Sequence, residues 1–229
     1  MLPLAISLAA ILSAADYITE HLVPKNVMAN QKVISFAAGV AIAYILLHLF
    51  PEVSVLSLSE GRFLFLYALI GFTLTHLMER FLHISHHVPK FLQDNNRVHL
   101  IFFFLYNFII GILLTKIAAQ GKAQALLFFI PFLLYVSVEI LPQQFHLKTL
   151  VGKVFYAFAP LLGAAIATIF IPVALFAAEI FAELLTMATG MLLYIVIRQT
   201  LPSNRDSSPF AFVLGVVLYA AVIGAVRTW

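Results

Sequence analysis

Three polar side chains in the middle of the chain have types and spacing that could bind a cation. Asn107 lies in one apolar stretch, and Glu139 lies in the next, three residues before Pro142 and four before Gln143. A proline inside a helix frees a backbone carbonyl, so the helix is polar near Glu139. Gln143 shares a helix face with Glu139. Oxygen ligands from two adjacent helices at one depth predict a cation site.

A second interpretation gives the same three side chains a structural role. Asn, Glu and Gln side chains form hydrogen bonds between membrane helices, and the Glu139 carboxyl would then be uncharged. An ionisable group at the bilayer centre costs about 2.5–3.5 kcal/mol, so either role requires a compensating partner. The residues alone leave both interpretations open.

Histidines cluster between the third and fourth apolar stretches. His83, His86 and His87 lie in the predicted loop after helix three. Imidazoles at this spacing can hold a divalent ion at neutral pH, so the loop could receive a cation on the cytoplasmic side. A solvated polar loop explains the same residues equally well.

A further polar pair lies at the predicted outer end of helix two. His48 and Glu52 are four residues apart, so they could form a cation entrance or pair with each other at the membrane interface. Two acidic pairs have the same spacing at helix ends, namely Asp16 with Glu20 and Glu179 with Glu183. Both pairs are expected to extend to the headgroups. For Asp16 and Glu20, lining an exit for the cation is the alternative.

The elements that position these residues are predicted to be membrane helices. Of the 229 residues, 63% are hydrophobic and 10% are charged, whereas soluble domains have about 25% charged residues. Apolar stretches recur at close to the roughly 20 residues that a helix needs to cross about 30 Å of hydrocarbon. The sequence predicts an all-α polytopic bundle of about eight transmembrane helices in one domain, 1–229, with helices at 2–22, 32–51, 62–82, 98–118, 123–146, 151–172, 176–201 and 209–227.

Charge and cysteine content restrict the class of protein further. The chain has no cysteine, which excludes disulfides and thiolate metal sites. The net charge of +3 is scattered, without the basic stripe that nucleic acid requires. Of the 13 basic residues, nine fall in alternate connections, which predicts an integral protein of the cell (inner) membrane with both termini outside the cytoplasm.

The predicted helices two and seven share a sequence pattern. Segments 39–51 and 190–202 both consist of a glycine, eleven residues and a proline. This pattern is expected if helices one to three and six to eight are inverted repeats of a transporter. Glycine and proline are common in membrane helices, so coincidence is the alternative.

The same two helices resemble those of a known family. Segments 35–40 (Ser-Phe-Ala-Ala-Gly-Val) and 47–52 (Leu-His-Leu-Phe-Pro-Glu) resemble helix two of the ZIP (Zrt-/Irt-like) metal transporters, and 188–194 (Ala-Thr-Gly-Met-Leu-Leu-Tyr) resembles helix seven. Helix count, outside termini and a histidine-bearing loop extend the resemblance over the whole chain. It implies transport of a divalent metal cation, such as zinc, iron or manganese, by alternating access.

The resemblance also implies a two-metal centre, which this chain retains in part. The family pattern on helix four is His-Asn-x-x-acid, and this chain has Tyr106, Asn107 and Ile110. The pattern on helix five is His-acid-x-Pro-(His/Glu), and this chain has Glu139, Ile140, Pro142 and Gln143. The remaining site of Asn107, Glu139 and Gln143 fits a harder cation better than zinc, or no metal at all.

Two other classes of protein remain as alternatives. The first is a ZIP-like scaffold or sensor that has lost the metal centre and does not transport. The second is a membrane metalloenzyme, because His83-x-x-His86-His87 resembles one box of the di-iron desaturases; the single box makes an enzyme unexpected. The expected partners are the lipid bilayer and a divalent cation as substrate, and a homodimer is left open.

Overall fold

The computed structural model describes residues 2–21, 31–60, 63–85, 95–138, 157–170, 178–200 and 208–227. Regular secondary structure in these ranges is all helical, which confirms the predicted all-α class. The helices there are α1 (Leu2–His21), α2 (Gln31–Tyr44, then a π-helical turn Ile45–Leu49, then Phe50–Glu60), α3 (Leu64–Ser85), α4 (Asn95–Gln120), α5 (Lys122–Val138), α6 (Ala159–Phe170), α7 (Ala178–Ile195, then a π-helical turn Val196–Thr200) and α8 (Pro209–Arg227).

Within the described ranges, four helical spans are long and apolar enough to cross a membrane, namely Gln31–Ser59, Ile101–Gln120, Glu179–Arg198 and Pro209–Val226. Three shorter helical stretches in the described part of the chain are also apolar: Pro3–Thr19, Lys122–Ser137 and Ala159–Ile169. Large apolar side chains of α3 and α8, such as Leu69 and Val217, are exposed. Such helices fit a membrane protein, in which acyl chains cover this surface.

Glycines bring the helices together in pairs. On α2, a Cβ atom at Gly39 would collide with the Phe212 carbonyl oxygen of α8, and one at Gly215 of α8 would collide with the Phe36 carbonyl oxygen. Only glycine permits this approach of two backbones. Two more pairs are closed in the same reciprocal way: α3 and α7 at Gly71 and Gly190, and α4 and α6 at Gly111 and Gly163.

Two of these pairs run parallel. In α2 and α8, Ser35 accepts a 3.2 Å hydrogen bond from the Ser208 backbone N–H, and Tyr44, further along α2, contacts Tyr219, further along α8. In α3 and α7 the contacts advance in the same sense, from Tyr67 with Glu183 to His76 with Tyr194. Helix α2 is therefore parallel to α8, and α3 is parallel to α7.

The predicted end of helix two at residue 51 is wrong, since α2 continues to Glu60. Pro51 has no N–H and would interrupt a regular α-helix. The π-helical turn before it changes the hydrogen bonding, because the Phe50 N–H donates to the carbonyl of Ile45, five residues earlier. Pro51 therefore falls in the first turn of the stretch that follows, where proline is tolerated.

Candidate functional site

The π-helical turns of α2 and α7 lie at matching positions. Ile45–Leu49 begins six residues after Gly39, and Val196–Thr200 begins six residues after Gly190. A π-helical turn contains one extra residue relative to the α-helix, and such turns are frequent at functional sites. The first part of α2 contacts the π-helical turn of α7, and the π-helical turn of α2 contacts α7 in return. Each π-helical turn therefore packs against the α-helical part of the other helix.

His48 belongs to the π-helical turn of α2, and Glu52 lies one turn later; both are half-buried. Because α2 continues to Glu60, His48 is twelve residues from its end, about 18 Å at 1.5 Å per residue. The prediction that these residues mark the outer end of the helix is therefore wrong, since they lie well inside it.

Tyr44, at the start of the π-helical turn, is the centre of an aromatic cluster. Its ring stacks on the His48 imidazole, with centroids 5.3 Å apart and planes 28° apart. It makes edge contacts with Phe128 and Phe132 of α5, at 6.4 and 6.5 Å, and with Tyr219 of α8, at 6.1 Å. The cluster connects three helices around the predicted entrance.

Asn107 is buried on α4, with 4% of its surface exposed. The neighbouring Tyr106 is also buried and contacts Tyr135 of α5, with ring centroids 6.5 Å apart. Tyr106 and Asn107 thus lie close to α5, the helix predicted to carry Glu139 and Gln143. Glu139 and Gln143 are outside the described residues, so their contact with Asn107 stays a prediction.

The histidine segment is described only at its beginning. Helix α3 continues to Ser85, so His83 lies in its last turn and not in a loop, which corrects the predicted helix end at residue 82. No proline or glycine between Phe72 and Ser85 interrupts the helix, and the first proline after the start of α3 is Pro89. His86 and His87 lie outside the described residues, and the role of the segment stays a prediction.

A polar network that the sequence interpretation missed connects α3 to the end of α7. Tyr194 donates its hydroxyl hydrogen to Glu79, and the Arg198 Nε lies 3.3 Å from the same carboxylate. His76 Nδ1 lies 3.1 Å from the Tyr194 oxygen. Because the single hydroxyl hydrogen goes to Glu79, His76 must donate to Tyr194 through Nδ1–H. The same-face spacing of His76 with Glu79, and of Tyr194 with Arg198, was the available signal.

We expect Glu79→Gln to lower the free energy of unfolding by about 1.5–3 kcal/mol, the range for a hydrogen bond to a charged group. Glu79 is 12% exposed, so the carboxylate and its Tyr194 partner are shielded from water, whereas Arg198 is 56% exposed and contributes less. Thermal or denaturant unfolding in detergent measures the change. Glu179→Gln, at an exposed acid on α7, is the control; equal stability of the two variants would show that the network is not stabilising.

Two acidic residues lie elsewhere than expected. Asp16 is buried, with Ser13 and Thr19, in the bundle instead of extending to the headgroups. Glu183 is half-buried and accepts a 2.7 Å hydrogen bond from Tyr67 of α3. Packing of α1 and α7 against neighbouring helices determines both positions, and Glu179 alone of these three is exposed as expected.

Among the side chains that the structure describes, no group of three or more His, Asp or Glu residues could hold a metal ion. No protein-family model and no curated protein matches this chain. ZIP family membership therefore remains an expectation from the residues quoted above.

Three of the described residues carry side chains of the types that interact with cations. Half-buried His48 and Glu52 supply a nitrogen and a carboxylate on one helix, and buried Asn107 supplies an amide on another. Nitrogen and oxygen ligands of this kind interact with divalent cations. All three lie on helices that the structure packs into one bundle.

Proposed function

We propose that this protein is a ZIP-like membrane transporter that moves a divalent metal cation by alternating access. The observation that carries the proposal is the pair of π-helical turns at equivalent positions of α2 and α7. A π-helical turn is a site where a helix can change its hydrogen bonding and bend. One such turn in each of two contacting helices would permit the helices to rearrange around a bound ion.

The pairing of helices supports an inverted repeat of helices one to three and six to eight. In such a repeat helix two is equivalent to seven, and helix eight to three, so the pair α2 with α8 corresponds to α7 with α3. Both pairs are parallel, and both are closed by two reciprocal glycines. Internal repeats of this kind are typical of secondary transporters, whose substrate sites lie at the repeat interface.

The proposed route uses the residues that the sequence singled out. A cation enters from outside past Glu52 and His48, pauses at Asn107, Glu139 and Gln143, and leaves toward His83, His86 and His87. Eight spans in the cell membrane, both termini outside and a homodimer belong to the same proposal. The support from the described residues is the depth of His48 in α2 and the burial of Asn107 next to the α4–α5 contact.

An uptake assay in proteoliposomes tests this function, with zinc, manganese, iron and cadmium offered separately. We expect Glu139→Ala to reduce the flux at least about tenfold, which corresponds to the loss of one ligand interaction of about 1.4 kcal/mol. Glu179→Ala, at an exposed acid of α7, is the control and should transport normally.

The outcomes of this assay separate the candidate functions. Equal flux in the wild type and Glu139→Ala would remove Glu139 from the mechanism. A wild type that moves none of the four ions above the level of empty liposomes would contradict transport and leave the scaffold or sensor. A bound pair of irons with oxidase activity would instead indicate the metalloenzyme.

A further inference from the structure

The hydroxyl group of Tyr44 is buried without a hydrogen-bond partner among the described residues. The whole side chain has 0% exposure. Buried tyrosine hydroxyls normally have a partner, because an unsatisfied polar group destabilises the fold. The ring contacts around Tyr44 fix where this hydroxyl lies, so its position is a consequence of packing and not of side-chain freedom.

A second tyrosine in the same cluster shows the ordinary arrangement. Tyr219 contacts the Tyr44 ring, and its own hydroxyl donates a 2.6 Å hydrogen bond to the Leu127 carbonyl of α5. An aromatic cluster between α2, α5 and α8 can therefore satisfy a tyrosine hydroxyl. The difference between the two tyrosines indicates that Tyr44 has a partner that is not a side chain or carbonyl of the described chain.

Two polar side chains follow Tyr44 along α2. His48 stacks on the Tyr44 ring, and Glu52 lies four residues after His48 on α2. On α7, which the π-helical turn of α2 contacts, the hydroxyl of Thr186 is also buried and has no partner among the described residues.

We propose that the Tyr44 hydroxyl is the innermost ligand of the entrance and binds a partly hydrated divalent cation after it passes Glu52 and His48. A hydroxyl oxygen has two lone pairs, which can bind the ion or one of its water molecules while the phenol keeps its proton. The aromatic rings around it exclude bulk water and restrict how much of the hydration shell the cation retains. This inference rests on the proposed transport function.

The test compares Tyr44→Phe with Tyr219→Phe in the full-length protein. We expect Tyr44→Phe to raise KM for uptake about tenfold in proteoliposomes. Its Tm should be unchanged or higher, because the substitution removes a hydroxyl that has no partner among the described residues and keeps the ring. Tyr219→Phe should lower Tm, because it leaves the Leu127 carbonyl without its donor.

A second measurement is the rise in Tm of the detergent-solubilised protein when zinc or manganese is added, which reports binding without transport. We expect a rise for the wild type and a smaller one for Tyr44→Phe. Wild-type KM and an unchanged metal-induced rise in Tyr44→Phe would overturn the inference alone. A lower Tm with normal KM in that variant would also overturn it, since the hydroxyl would then hold a structural water only. A wild type without uptake would overturn the proposed function, and this inference with it.

Discussion

Gly190→Ala is expected to separate α7 from α3 and to destabilise the folded protein. The added Cβ would collide with the backbone carbonyl of Ala68, which cannot rotate away as a flexible side chain could. Forcing an extra carbon into a packed interface costs about 1–3 kcal/mol, and a collision with backbone falls in the upper part of that range. Unfolding in detergent and the monodisperse fraction after purification measure the loss.

The matched control is Gly224→Ala on α8, where no heavy atom lies within 4 Å of the added Cβ. Alanine favours the helix over glycine by about 1 kcal/mol, so this variant should be as stable as the wild type or more stable. The two identical substitutions are thus expected to have opposite signs. A stable Gly190→Ala variant would mean that α3 and α7 do not pack as closely as the structure indicates.

The second large effect is expected when the π-helical turn of α2 is removed. Deleting Leu46 takes the extra residue out of Ile45–Leu49, and adding Pro51→Ala restores the N–H that a regular helix needs there. Leu46 is 51% exposed, so its loss removes no core side chain. The residues on either side keep their helix faces, since the turn had absorbed the extra residue. We expect a folded protein whose cation uptake falls to the level of empty liposomes.

Two controls make this result interpretable. Leu46→Ala keeps the length of the turn, and Pro51→Ala alone keeps the extra residue, so both should transport. Helix content and Tm of the deletion variant show whether it is folded. Normal uptake in a folded deletion variant would exclude the π-helical turn from the mechanism, and the observation that carries the proposed function would be lost.

The similarity between helices two and seven shows how much of this region could be predicted from the sequence. Glycine and proline at matching positions predicted that segments 39–51 and 190–202 are related. No residue pattern predicts a π-helical turn between them, because the extra residue is visible only from the hydrogen bonds. The close contacts of Gly39 and Gly190 were equally hidden, since which helix a glycine faces depends on the whole bundle.

The candidate site was predictable by residue type and less so by position. His48 and Glu52 were identified from their spacing, yet their depth followed only from the continuation of α2 past Pro51. Nothing in the sequence singled out Tyr44, whose hydroxyl has no partner among the described residues; this became visible only from the packing of three helices. Glu79 and Tyr194 lie 115 residues apart, so their contact depends on the pairing of α3 with α7.

By itself the sequence determined that this is an all-helical, apolar chain with few ionisable groups, because composition and the length of apolar stretches decide which solvent a chain can fold in. Only the tertiary structure decided which helices pair, where the π-helical turns lie and which polar groups meet. Those features depend on contacts between residues far apart in the chain, where a single methyl group at a glycine would change which backbones can approach.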